Sequence, residues 1–219
     1  RQSMDGASFI QRFREETFDE SDPPLWSDGL ILRYLDEAQT EFCRSTEGLE
    51  DSTSSIGRLV VPAGTSALRL SPKILKVRAA SLVEPQRQLE VMSVEEARAE
   101  GIIFGSARPG IPRIVITGLG GGKVQLFPTP MQDCTIRLDV FRLPLSAIEV
   151  ISDETEVDDR HAQTLMHYAL YRAYSRPDPD TMDRVRADYF LQQFREECVR
   201  AQREQGRARK PNGVTQFSW

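Results

Sequence analysis

Phe9 and Phe13 stand four residues apart in SFIQRFREETFD, residues 8–19, and this spacing predicts a short helix with a narrow apolar stripe. Pro23 and Pro24 in SDPPLWS end it, because proline lacks an amide donor and pushes the residue before it out of the helical region. The next pattern is stronger. Ile31, Leu35, Ala38 and Phe42 recur at spacings of four, three and four along LILRYLDEAQTEFCR, one apolar face of a longer helix. Ser27 is placed to cap that helix, with Trp26 packing on Ile31 as a hydrophobic staple.

After GLEDSTSSIG the period changes. GRLVV, ALRL, KILKVRAASLV and RQLEV are short, branched and leucine-rich runs separated by PAGTS, SP and EPQ, which predicts antiparallel strands joined by tight turns. PRIVITG and KVQLFP add two more. CTIRLDVFRLPL closes the region, with Ile136, Leu138 and Val140 alternating against Arg137 and Asp139, one face buried and one wet. Within this region SVEEARAEG predicts a short helix, since Ser93 and Glu96 form a capping box and Gly101 sits where a C-cap would.

Helical period then returns. Asp158 is placed to cap DRHAQTLMHYALYRAYS, where Ala162, Leu165, Met166, Ala169, Leu170 and Ala173 follow the helical rule without a miss. Asp178-Pro179, a cap followed by proline at the first helical position, predicts the start of the last helix, with Met182, Val185, Tyr189, Phe194 and Cys198 as its buried stripe. Gly206 is expected to end that helix, and Pro211, Asn212 and Gly213 do not prolong it.

These patterns predict an α+β fold: a helical bundle with an inserted antiparallel β-sheet domain. The N-terminal helices fall in residues 1–50, the β domain in 57–145, the C-terminal helices in 153–205 and an extended C-terminal arm in 206–219. The two sequence-distant helical parts are expected to pack together, because each stripe is too narrow to be buried alone.

Composition narrows the function. With 28 basic against 33 acidic residues and a net charge of −5, the chain is no ordinary basic nucleic-acid binder. Its longest apolar runs fall far short of the roughly 20 residues a membrane span needs. RQSMDGASF has no apolar core of a secretory signal, and the chain opens on Arg1 rather than Met, so a few residues are expected before it. Cys43, Cys134 and Cys198 are odd in number and far apart, neither a disulfide framework nor a zinc pattern, which fits synthesis in a reducing cytoplasm.

Candidate chemistry is thin. TGLGGGKVQ, residues 117–125, looks like a phosphate loop, but Lys123 is followed by Val124, Thr117 stands where the first glycine belongs, and no helix follows. Gly118, Gly120, Gly121 and Gly122 are better read as the positive-φ residues of a hairpin loop. His161 and His167 lie six apart and do not share a helix face as metal ligands would. Glu95, Glu96 and Glu100 fit capping and a solvated face. Asp153, Glu154, Glu156, Asp158 and Asp159 lack a calcium-loop pattern and suit the start of a helix. No serine has the G-x-S-x-G context. The expectation is no catalytic residue, no cofactor and no metal. The one strong charge asymmetry is the basic end, Arg200, Arg203, Arg207, Arg209 and Lys210, of which part suits a helix C-terminus and part suggests a partner surface.

Taken in order, the elements resemble the head–tail adaptor (head-completion, connector) proteins of tailed bacteriophages. The likeness rests on FIQRFREETFDE with LWSDGLILRYLDEAQTEFCR, then PAGTSALRLSPKILKV, GIPRIVI, VQLFPTP and VFRLPL, then RHAQTLMHYALYRAYSRPDPD and YFLQQFREE. It runs from about Ser8 to about Arg200, and it rests on the order of the blocks rather than on any one motif. Asp36 stands where such a chain is expected to carry asparagine.

The resemblance implies a structural virion protein rather than an enzyme. It implies a ring of twelve copies beneath the portal protein, at the head–tail junction of the virion, made in the host cytoplasm. A tail protein (nozzle, hub or tail completion) would dock on it, and double-stranded DNA would pass through its lumen without specific binding. Adaptors of this kind attach to the portal through C-terminal segments, which assigns portal binding to Arg207, Arg209, Lys210, Phe217 and Trp219. Two other readings stay open: a carbohydrate-binding module or enzyme built on the β domain, and a nucleic-acid-binding packaging factor acting through the basic tail.

Overall fold

The computed structural model describes residues 3–102 and 108–209. Helix α1 spans Gly6–Thr17 and α2 spans Asp28–Ser45; strands β1, Leu49–Asp51, β2, Arg58–Val61, and β3, Ala67–Arg69, follow. Next come β4, Ile74–Leu82, β5, Arg87–Ser93, helix α3, Val94–Ala99, β6, Ile114–Thr117, β7, Lys123–Phe127, and β8, Cys134–Arg142. Helices α4, Ala162–Ser175, and α5, Arg184–Arg209, close the series. By its internal contacts the chain forms two units: residues up to 48 together with those from 144 onward, and residues 49–143. The class is mixed α+β.

The first unit holds α1, α2, α4 and α5. Phe9 and Phe13 on α1, and Ile31, Leu35, Ala38 and Phe42 on α2, are all buried, as their spacing predicts. So is the whole α4 stripe from Ala162 to Ala173. Caps differ from expectation in two places. Ser27 makes no side-chain capping bond, and Trp26 packs edge-on against Phe13 and Tyr174. Asp178 holds a turn through the amides of Asp180, Thr181 and Met182, and the last helix starts only at Arg184, with Asp183 accepting from the Arg186 amide.

The predicted stripe of α5 is also corrected. Met182, Val185 and Tyr189 are exposed, and the buried face is Ala187, Phe194, Cys198 and Ala201. Both sets are periodic. What selects between them is the facing surface: Tyr168 and Tyr174 of α4 take the rings of Phe194 and Phe190. Nor does Gly206 end the helix, which runs on to Arg209.

The second unit is an eight-stranded sheet in the order β1-β8-β4-β5-β6-β7-β3, with β2 also pairing to β8. It is mixed, not antiparallel throughout. Strands β5 and β6 run parallel, Glu90 opposite Ile114 through Ser93 opposite Thr117. A parallel pair needs a crossover, and α3 lies on that connection. Val61, Leu82, Leu89, Val115, Val124, Leu126, Ile136 and Leu138 form one cluster although they come from six strands, β2, β4, β5, β6, β7 and β8. The sheet therefore curls around its own apolar face. On β5 and β6, Met92 and Ile116 pack instead with Val94 and Ala97 of α3.

Local signals within this unit are realised. Ser93 and Glu96 make both bonds of the capping box. Gly101, at φ 74°, donates to the Arg98 carbonyl while Ile102 donates to Ala97, the paired bonds of a Schellman cap.

Candidate interaction surface

Several of the residues singled out for catalysis or metal binding have structural roles. The loop of Gly118, Gly120, Gly121 and Gly122, all at positive φ, joins the antiparallel pair β6 and β7 and is a turn. His161 packs on the Phe42 ring, and burial, then Arg160, lowers its pKa. His167 bonds through Nδ1 to Glu197 at 3.1 Å and stacks on Phe190. Glu96 is in the capping box. Of Asp153, Glu154, Glu156, Asp158 and Asp159, it is Asp158 that caps a helical turn, accepting from the Arg160 amide. Asp153 accepts from the amides of Glu149 and Val150, and Glu156 from those of Leu145 and Ser146. Among the described residues no group of three His, Cys, Asp or Glu could hold a metal ion, and no helix is long and apolar enough to cross a membrane.

Cys43 and Cys198 are buried and Cys134 is partly exposed; none of the three forms a disulfide, and burial, reinforced by the Glu197 and Glu41 carboxylates, pushes the Cys198 thiol up to about 12.

What remains as a surface is the outer face of α5. Val185, Tyr189, Gln192, Glu196, Val199, Arg203 and Arg207 recur at alternating spacings of four and three before a final four, and all seven are exposed. Val185 is 81% exposed and Tyr189 57%, far more than large apolar side chains on a helix that faces a core. The stripe is apolar at its start and basic at its end, with Arg200 exposed beside Arg203 and Arg207. Of the residues predicted to bind a portal, the structure places Arg207 on this face. Arg209 is the last helical residue. Lys210, Phe217 and Trp219 lie outside the described residues.

A second concave surface escaped sequence reasoning. Arg33, Arg172 and Arg176 line a cleft of about 740 Å³ whose wall includes Tyr34. Arg172 is paired with Glu37 and lies over the Tyr34 ring, 5.8 Å from its centroid. Arg33 and Arg172 are 139 positions apart, so only the packing of α2 on α4 could show their proximity.

The model of the SU10 adaptor protein family matches residues 4–215. No curated protein matches the chain significantly. The chain belongs to the SU10 adaptor protein family, in accord with its resemblance to phage head–tail adaptors.

Proposed function

We propose that this SU10 adaptor family member is a structural virion protein, not an enzyme, that joins head to tail as a ring of twelve copies on the portal protein. The observation that carries the reading is the family match over residues 4–215. In this reading the helices of the first unit are a bundle. The ring extends the DNA channel, offers a platform to a tail protein, and assembles from monomers on the portal as template.

The C-terminal arm is the portal anchor. Arg207, Arg209 and Lys210 guide encounter, and Phe217 and Trp219 fill pockets, the division of labour expected when charge sets approach and aromatics set residence. The exposed stripe of Val185, Tyr189, Val199 and Arg203 supports this reading, because it leads along α5 towards the arm.

The test is a pair of truncations. Removing residues 210–219, or 206–219, should leave a folded monomer that no longer joins portal-containing heads. A truncated chain that still assembles would remove the arm as anchor. Absence of the protein from purified virions would remove the adaptor reading altogether.

A further inference from the structure

Arg69 and Lys123 are direct partners across the antiparallel pair of β3 and β7, and both are exposed. Like charges directly opposite destabilise a sheet, and no carboxylate relieves them among the described residues. Lys76 lines the same cleft, a concavity of about 750 Å³ with no Asp or Glu among the described residues of its wall; the Glu95 carboxylate lies behind Gly118. A register shift in β4 between Ile74 and Lys76 breaks the alternation there, so Leu75 and Lys76 both face out.

The glycine loop forms the far wall. A Cβ at Gly120, Gly121 or Gly122 would meet nothing within 4 Å, so the backbone stands bare towards solvent. Their amides donate to no backbone acceptor among the described residues. Successive free amides in a turn make an anion-binding concavity. Charge distribution agrees. Residues 49–143 carry 12 Lys and Arg against 9 Asp and Glu, a net +3, inside a chain of net −5.

We propose that this cleft holds the phosphate backbone of double-stranded DNA through Arg69, Lys76, Lys123 and the glycine amides. Among the described residues no aromatic side chain lines it, so a flipped or single-stranded base finds no stacking partner there. No helix follows the loop, so the cradle of a nucleoside triphosphate is missing. What is left is contact with phosphates alone, weak and independent of sequence. This goes beyond the adaptor reading and does not depend on the arm.

Fluorescence anisotropy of a short labelled duplex, titrated with the full-length protein across a roughly tenfold range of salt, tests it. Three phosphate contacts should give a log–log salt slope of about −2.7, and each of Arg69→Gln, Lys76→Gln and Lys123→Gln should flatten it by about 0.9. The triple variant should bind at least roughly tenfold more weakly at low salt. It should melt no lower than the parent, since it removes a repulsion, and should still join portal-containing heads. If it does not fold, the slopes of the single variants decide. Repeating the series without residues 206–219 removes Arg207, Arg209 and Lys210 of the arm as a competing site.

Three results would overturn the proposal. One is a parent protein with no duplex binding at the lowest salt. Another is a triple variant, or in its place a set of single variants, with the parent's slope. The third is stronger competition by a single-stranded oligonucleotide or by poly-glutamate than by duplex, which would assign the cleft to bases or to an acidic protein segment.

Discussion

Gln39, fully buried on α2, accepts the amide of Glu156 through Oε1 at 3.3 Å, across 117 positions of sequence. Its Nε2 donates to Asp36 Oδ1 and to the Ser146 carbonyl, and Asp36 Oδ1 also accepts from the Ile148 amide at 3.0 Å. Two side chains one helical turn apart thus satisfy a loop that packs against the helix, as buried backbone groups require. Gln39→Ala should cost about 1–3 kcal/mol in urea unfolding, because it strands those groups. Asp36→Asn keeps the accepting oxygen and should cost less than about 1 kcal/mol.

Asp51 and Arg142 form an ion pair inside the second unit, with side chains 6% and 10% exposed. Burial works to raise the Asp51 pKa, but bonds from Ser54, Arg142 and Thr53 outweigh it and hold the carboxyl below its ordinary range. Because the folded value is depressed, this stabilisation is complete above the unfolded value, about 3.9, and is lost as pH falls below it. Arg142→Met should cost about 3–5 kcal/mol at neutral pH, and Asp51→Leu with Arg142→Met clearly less. Urea unfolding at pH 7 and at pH 3 should show the gap between parent and Arg142→Met narrowing only at the acid end.

Phe194 and Val185 lie on the same helix with opposite fates, 2% and 81% exposed. Phe194→Ala should lower stability by about 3–5 kcal/mol. Val185→Ala should change it by less than about 0.5 kcal/mol. Thermal melts of the two variants separate the inner face of α5 from the outer one.

Thiol titration with a chromogenic disulfide should find Cys43 and Cys198 unreactive until the protein unfolds, because both are buried and the Cys198 thiol is raised to about 12. Cys134 is partly exposed, yet burial and then Asp133 raise its pKa too. It should react slowly at neutral pH, and faster as rising pH makes thiolate available.

Short-range signals were legible from sequence. The Ser93–Glu96 box, the Gly101 cap, the α4 stripe and the glycine hairpin all depend on residues within one or two turns of each other. The parallel pairing of β5 with β6 was not, because it is set by how far α3 carries the chain before it returns. The inner face of α5 was misread since Val185 and Tyr189 repeat as well as Phe194 and Cys198 do; only the aromatic surface of α4 chooses between them. The facing cations Arg69 and Lys123 are 54 positions apart and meet only once the register is set.

Leu49 pairs with Arg142, so the chain enters and leaves the sheet unit at neighbouring points. The helices α2 and α4 are separated in synthesis by the 116 residues 46–161, of which 95, residues 49–143, make the sheet unit. At typical elongation rates, α2 would wait about 5–20 s on the ribosome for α4 to emerge. A sheet that folds during that interval acts as a clasp. It converts a long open loop into a closed one before the helices meet, and it removes most of the closure entropy from their association. With the strands formed first, the helices would be drawn together by a join the sheet has already made.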